Sequence, residues 1–380
     1  MATGLDSFAL LAVPLFILSG QIMNSGGIAG RLIQFAKTLV GFLPGGLALI
    51  NIISAMLMGA ISGSAMASAS AMGSVLGPEM EKEGYSKDFG VAVNITSATT
   101  GLIIPPSNVL IVYSLASGGV SVGALFLAGY IPGIMTGLLL MLVALFWSKK
   151  NKYKVGNRST LKEIMASFFY AIPSLFLLII IIGGIISGIF TATEASAIAV
   201  LYSIILGFIY KELSIKKLPK IFLKSVETTA IVMLLISASM CMSWVLSFEN
   251  IPQEISSFLL GFSDNKMIIL LIINLILLIV GIFMDITPAV LIFTPIFLPV
   301  VTALGIDPVH FGIILVLNLC IGLCTPPVGS ILFVGVGVAK TSIVNVIKPL
   351  IPFFIVMIIS LFLITYIPSL TLFLPNLLNY

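Results

Sequence analysis

Two double prolines, Pro105-Pro106 and Pro326-Pro327, interrupt long apolar stretches of this 380-residue chain. Each closes the same pattern, Gly-Leu-x-x-Pro-Pro, at Gly101 to Pro106 and at Gly322 to Pro327, and the copies lie 221 residues apart. A proline has no N–H, so inside a helix it frees the carbonyl four residues back. Those carbonyls belong to Gly101 and Leu102 in the first copy and to Gly322 and Leu323 in the second. At membrane depth, free carbonyls are tolerated where they line a cavity or bind something. Matching broken helices in two halves of one chain are the best sequence pointer to a transporter's substrate and ion sites.

Composition sets the membrane depth. The chain is 59% hydrophobic and 8% charged, with a mean hydropathy of +1.23. Apolar runs of about 20 residues recur from end to end, which predicts an all-α polytopic membrane protein with the lipid bilayer as its solvent. The net charge of +4 then reports topology, and no nucleic-acid partner is expected. Cys241, Cys320 and Cys324 are read as buried small hydrophobes, because no His-rich or thiolate-rich set joins them into a metal site. Met1 to Ser7 has no basic n-region and no small-residue cleavage site follows, so no cleavable signal peptide is expected.

Several apolar runs are too short to span alone. The pairs 45–61/65–78 and 267–284/289–304 flank the breaks Ser62-Gly63-Ser64 and Asp285-Ile286-Thr287-Pro288. Each pair predicts a re-entrant helical hairpin, over 45–81 and 267–304. The double prolines predict discontinuous helices over 88–117 and 308–339. If a hairpin counts as no crossing and a broken helix as one, segments 25–44, 79–88, 148–163, 211–224 and 340–348 share a side. These hold 17 of the 18 basic residues, Arg158 among them; only Lys266 falls opposite, beside Glu249, Glu254 and Asp264. The positive-inside rule makes the basic side cytoplasmic.

The repeat extends past the prolines, since Gly84 to Pro105 and Gly305 to Pro326 both span 21 residues. An odd number of crossings between counterparts inverts one half relative to the other. The organisation expected is residues 1–148 as a first inverted repeat, 149–163 as a basic cytoplasmic linker, and 164–380 as a second inverted repeat. The runs 164–190 and 195–210 have no partner before residue 8, so symmetry predicts about two further apolar segments ahead of the first repeat.

At the first break, Ser62, Gly63, Ser64 and the carbonyls from Gly101 to Pro106 are hard oxygen ligands, suited to an alkali or alkaline-earth cation. Close helix packing through Ser and Gly is the plainer alternative. At the second, Asp285 and Thr287 face Gly322, Thr325 and Pro327. Asp285 is the only acidic residue between Met267 and Gly305. A carboxylate at that depth costs about 2.5–3.5 kcal/mol on insertion scales, so a bound cation is its default partner; a protonated Asp, or one that caps the following helix, is the alternative. Asn94 and Asn318 lie in the broken helices, where they can face substrate or bond between helices. His310 reads as interfacial. Glu194, in Thr191-Ala192-Thr193-Glu194, reads as a residue of a helix N-terminus. The basic residues of 149–162 read as topogenic, with anionic lipid as a second reading.

An intramembrane hydrolase would need a nucleophile and base, and the only histidine is far in sequence from Ser62 and Ser64. An ion channel would favour identical subunits around a pore over two inverted halves. With no Walker motif, any pumping uses an ion gradient.

The order and spacing of several stretches resemble the large membrane subunit of TRAP (tripartite ATP-independent periplasmic) transporters, within the ion-transporter superfamily. They are Phe8 to Gly20, Gly59 to Ser64, Gly101 to Ser107, Ser121 to Gly133, Gly188 to Ser196, Gly281 to Asp285 and Gly322 to Gly329. Two departures stand out: the family usually begins with further apolar segments, and it commonly carries Ala-Asp where this chain has Ala67-Ser68.

The resemblance implies an elevator-type, sodium-coupled uptake of an organic anion, such as a C4-dicarboxylate or sialic acid, across the bacterial inner membrane. It implies no enzyme activity and no cofactor beyond sodium as coupling ion. The implied partners are a small membrane subunit and a periplasmic substrate-binding protein. Sodium site 1 is then expected at Ser62, Gly63, Ser64, Gly101, Ile104 and Pro106, and sodium site 2 at Asp285, Thr287, Gly322, Thr325 and Pro327. Substrate is expected near Ser64, Asn94, Ser107, Asn108, Thr287 and Asn318. A stand-alone dicarboxylate or arsenite transporter of the same superfamily is the alternative.

Overall fold

A computed structural model describes residues 8–156, 159–263 and 265–380. Met1–Ser7, Arg158 and Asp264, which enter the signal-peptide and charge arguments above, lie outside the described residues. After a 3-10 turn at Phe8–Leu11, the first half runs α1 (Ala12–Ser25), α2 (Ile28–Val40), α3 (Gly46–Ser62), α4 (Ala65–Lys82), α5 (Lys87–Thr100), α6 (Asn108–Ala116) and α7 (Val122–Lys150). Next come α8 (Leu161–Ile186) and α9 (Ala192–Ile209). The second half runs α10 (Leu218–Phe248), α11 (Ile251–Phe262), α12 (Lys266–Phe283), α13 (Ile286–Ala303), α14 (Pro308–Leu323), α15 (Ser330–Ala339), α16 (Ile343–Tyr366) and α17 (Ser369–Leu377). Among the described residues, seven helices are long and apolar enough to cross a membrane, by length and composition.

Contacts between loops fix the direction of each element. At one end Pro44 bridges Val155, Lys154 pairs with Glu83 (3.8 Å), and the Ser86 N–H donates to the Tyr153 hydroxyl (3.5 Å). Thr341 donates to Asp88 there as well (2.6 Å). This end holds the lysines of 82–87, 149–154 and 340 and is called the basic end below. At the opposite end Tyr113 donates to the Pro308 carbonyl (2.6 Å), Tyr366 to that of Met267 (3.2 Å) and Tyr380 to that of Ile185 (2.9 Å).

The start of α3 and the finish of α4 therefore share the basic end, and the start of α12 and the finish of α13 share the other. Both pairs are re-entrant hairpins. The broken helix α5/α6 leaves the basic end and α14/α15 returns to it, so the two halves are inverted. Corresponding helices start in step: α4 and α13, α5 and α14, and α7 and α16 each begin 221 residues apart.

Short polar side chains start these helices by taking up free N–H groups of the first turn. Thr160 and Thr191 form capping boxes with Glu163 and Glu194, so Glu194 is a helix-start residue, as its motif predicts.

Three features depart from the sequence reading. Helices α2 and α11 stand where the apolar runs predict connecting loops. Both are amphipathic, with Arg31, Gln34 and Lys37 in one and Gln253 and Glu254 in the other, and a half-apolar helix leaves no continuous run. Residues 347–375, one continuous apolar run by sequence, divide at Ile367–Pro368 into α16 and α17. His310 lies in the first turn of α14, where α17 covers it, leaving it 2% exposed and bonded to the Thr371 hydroxyl (2.8 Å). Of the cysteines, Cys320 and Cys324 are buried, whereas Cys241 is exposed.

Candidate functional site

Each hairpin is pressed against its broken helix through glycine. An added Cβ on Gly59 of α3 would lie 2.9 Å from the Gly101 Cα, and one on Gly322 would lie 2.5 Å from the Gly281 backbone of α12. Any side chain there would separate the helix from the tip it supports. The first tip turns at Gly63 in the left-handed region (φ 61°), where the Asn108 amide covers it so closely that a Cβ would meet Nδ2 at 2.4 Å. Gly-Ser at this tip is thus a requirement of backbone and neighbour alike. The Ser68 hydroxyl, at the position where the family resemblance anticipates a carboxylate, donates to the Ala55 carbonyl (2.8 Å) and ties the hairpin arms together.

Three pairs of helix-start residues are related by the 221-residue offset: Ser64 and Asp285, Ser86 and Asp307, Ser121 and Ser342. Five of the six accept a first-turn N–H through the side chain, at 3.2 Å for Ser64, 3.2 Å for Ser86, 2.7 Å for Asp307, 3.3 Å for Ser121 and 3.4 Å for Ser342. Asp285 makes no such bond, although it sits at the helix start. Asp285 thus lacks the cap bond of its five counterparts, with the Ile286 N–H as the backbone donor beside its carboxylate. That group is half-buried at the tip of the second hairpin.

Both tips open on one cavity of about 560 Å³. Ser62, Gly63 and Ser64 reach it from the first hairpin, Asp285 and Thr287 from the second. Asn108 completes this polar face, and the facing wall is formed by α1 and α10. Of the sequence-predicted residues, the structure thus brings together Ser62, Gly63, Ser64, Asn108, Asp285 and Thr287.

The breaks themselves touch the cavity through Leu102 and Leu323, while Gly101, Ile104, Pro106, Gly322, Thr325 and Pro327 lie outside its lining. The expected freed carbonyls differ between the copies. Among the described residues no backbone N–H reaches those of Gly101 and Leu102, whereas the Thr325 N–H recaptures that of Gly322 (2.9 Å). Thr325 also donates its hydroxyl to the Ile321 carbonyl (2.8 Å).

The remaining expected residues lie elsewhere. Ser107 caps α6 through the Leu110 N–H (3.4 Å). Asn94 donates to the Ala69 carbonyl (2.6 Å) and borders a separate cavity of about 310 Å³ with Asn51, Glu81, Lys87 and Lys340, toward the basic end. Asn318 is buried and donates to Asn274, at 3.0 Å to its carbonyl and 2.9 Å to its side chain. That is the interhelical role weighed for it.

The facing wall contributes polar residues that sequence reasoning did not single out as site residues: Gln21 and Asn24 on α1, and Thr228 and Lys224 on α10. Their spacings, i to i+3 and i to i+4, were the available signal, since each pair shares one face of a helix otherwise read as an apolar span.

Comparison with known proteins fits this arrangement. Residues 1–370 match the family described as "Tripartite ATP-independent periplasmic transporter, DctM component". A Salmonella typhimurium protein, YgiK, is 58% identical over 99% of this chain and 87% of its own length. The C4-dicarboxylate TRAP transporter large permease protein DctM of Pseudomonas aeruginosa is 41% identical over 98% of this chain and 87% of its own. The crystal structure of the Alcanivorax borkumensis YdaH transporter shares the fold, with a TM-score of 0.73 at 13% identity, covering 96% of this chain and 86% of that one. The chain belongs to the DctM family, the large permease component of tripartite ATP-independent periplasmic transporters.

Proposed function

We propose that this subunit drives sodium-coupled uptake of an organic anion across the bacterial inner membrane. The observation that carries the reading is the convergence of both hairpin tips on one cavity, with an uncapped carboxylate, Asp285, at its edge. A half-buried carboxylate that makes no side-chain cap bond is stabilised by a cation. Residues 1–148 and 164–380 act as the two inverted halves, joined by the basic linker 149–163.

Sodium binds behind the cavity wall, between each tip and its break. Ser62, Gly63, Ser64, Gly101, Ile104 and Pro106 form one site; Asp285, Thr287, Gly322, Thr325 and Pro327 form the other. Substrate contacts the cavity face of Ser64, Asn108 and Thr287, where sodium on both sides offsets its negative charge. The remaining expected residues, Asn94, Ser107 and Asn318, support the helices that carry these groups. A small membrane subunit and a periplasmic binding protein complete the machine, and the binding protein delivers the acid. Sodium ions are the only cofactor invoked. C4-dicarboxylate is the substrate class in the name of the Pseudomonas relative, and the cavity volume is ample for an acid of that size.

The test is uptake into vesicles containing this subunit and its small partner, with the binding protein outside. Accumulation of an organic acid is expected only under an inward sodium gradient. Equal uptake in potassium, or full uptake by this chain without a binding protein, would overturn the reading.

A further inference from the structure

Two charged residues line the cavity between the hairpin tips and the wall of α1 and α10: Asp285, on the tip side, and Lys224, on the wall. By sequence Lys224 falls among the cytoplasmic loop residues. The structure instead places it, exposed, in the second turn of α10, where a cavity-facing stripe begins. That stripe runs Lys224, Thr228, Ile231, Val232 and Leu235, spaced as one face of a helix. Among the described residues Lys224 has no carboxylate within ion-pair distance. Glu227, the acidic residue nearest to it along α10, is absent from the lining.

The wall is graded. Helix α1 runs toward the basic end, where an added Cβ on Gly27 would touch Glu212, and α10 starts from that end. Val13 and Ile17 on α1, with Ile231, Val232 and Leu235 on α10, are therefore the deep lining. Gln21 and Asn24, with Lys224 and Thr228, lie nearer the basic end. The Thr228 hydroxyl donates to the Lys224 backbone carbonyl (2.9 Å), and among the described residues no ion pair engages the Lys224 ammonium. A lysine ammonium lining the same cavity as two amide side chains and a carboxylate suits an acidic group that the Asp285 carboxylate alone would repel.

We infer that Lys224, with Gln21 and Asn24, forms an anion subsite on the wall facing the hairpin tips. Its ligand is a carboxylate or sulfonate of the transported acid. The inference rests on the transport reading and deepens it: the tips supply cations and hydroxyls, while the opposite wall supplies the fixed positive charge. An anionic lipid headgroup offers the same chemistry, and the test separates the two.

The complete transporter is reconstituted with Cys241→Ser to remove the exposed thiol, and uptake of succinate, N-acetylneuraminate and isethionate is measured; the acid that accumulates is used throughout. Lys224→Gln is expected to raise the half-saturating acid concentration on the order of tenfold, the loss of one charge-assisted contact. Half-saturation by sodium should not change, and Lys224→Arg should stay close to the parent. Lys224→Cys should regain uptake after 2-aminoethyl methanethiosulfonate, which restores a cation, and not after the sulfonatoethyl reagent. Unchanged acid dependence in Lys224→Gln, or equal rescue by both reagents, overturns the subsite. So does a Lys224→Gln defect seen with phosphatidylglycerol in the vesicles and lost in pure phosphatidylcholine, which identifies the headgroup as partner. If the parent accumulates none of the three acids, the transport reading fails and the subsite with it. Sodium-driven uptake that is indifferent to Lys224 removes the subsite alone.

Discussion

The two double-proline breaks carry the same motif and the same cis Pro-Pro bond, yet they sit in opposite surroundings. Pro105 and Pro106 are buried, whereas Pro327 and Val328 are exposed. The difference traces to the long helices that follow. Helix α7 approaches the first break at Gly129 and Gly133, where an added Cβ would meet the Ile103 carbonyl at 2.3 Å and the Ile104 side chain at 2.4 Å. At the corresponding positions α16 has Leu350 and Phe354 in place of the two glycines, and a side chain there precludes the same backbone-close approach. The tips differ in the same sense: Ser64 spends its hydroxyl on its own helix, while the Asp285 carboxylate is spared. The first break is packed but, among the described residues, leaves the Gly101 and Leu102 carbonyls without an N–H partner. The second is open, recaptures the Gly322 carbonyl and carries the charged tip. An inverted pair need not be functionally equal, and here the inequality coincides with glycines on one covering helix and large side chains on the other.

Three experiments probe that contrast. The largest effect is expected where the halves agree. Gly101→Ala and Gly322→Ala both force a Cβ against backbone that cannot yield, at 2.8 Å and 2.5 Å. Each should destabilise by at least about 1–3 kcal/mol, as overpacking does, and abolish transport. Thermal unfolding of the detergent-solubilised protein reads this directly, and tolerance of either change would mean that the glycine contacts are not shared.

Next comes the contrast at the tips. A carboxylate within about 4 Å of a monovalent ion contributes roughly 4 kcal/mol of gross attraction at an effective dielectric near 20. Cheaper burial of a neutral amide returns part of it, so Asp285→Asn should shift the sodium half-saturation upward by on the order of tenfold or more. Ser64→Ala should instead cost about 1 kcal/mol of stability through the lost cap, with sodium dependence near that of the parent, because alanine keeps the backbone carbonyl that position 64 offers the first sodium site. Wild-type sodium dependence in Asp285→Asn would remove Asp285 from the ion site.

The smallest effect tests exposure without impairing the protein. In a Cys241→Ser background, Val328→Cys should react with a water-soluble thiol reagent faster than Ile104→Cys. Equal rates would show that the second break is covered as well as the first.

Much of this contrast is not written in the motifs. The hairpin and break positions were legible because proline, glycine and serine interrupt apolar runs that otherwise have no reason to stop; Ser62-Gly63-Ser64 and Asp285 mark both tips within a residue or two. The amphipathic α2 and α11 were not, because their polar faces erase the run that marks a buried helix. The covering role of α7 depends on which neighbour Gly129 meets, and no local pattern encodes that. Lys224 shows the limit most clearly: counted as loop charge it balances a topology, and only the approach of α1 and α10 to the tips reveals the cavity that it lines. Asn94 and Asn318 illustrate the converse. Polar residues in broken helices invite a substrate role, while their partners Ala69 and Asn274 lie on neighbouring helices that sequence alone does not pair with them.

The glycine contacts between each hairpin and its broken helix also bear on the genetics of the protein. At Gly59–Gly101 and Gly281–Gly322 the chains meet backbone to backbone, so neither partner has a side chain left to shrink. A substitution at one glycine cannot be compensated by trimming its neighbour, the usual route by which packed cores drift. Suppressors of Gly101→Ala or Gly322→Ala should therefore map to positions that let a whole helix shift, such as the junctions flanking α3 and α12, and never to the contacting residue itself.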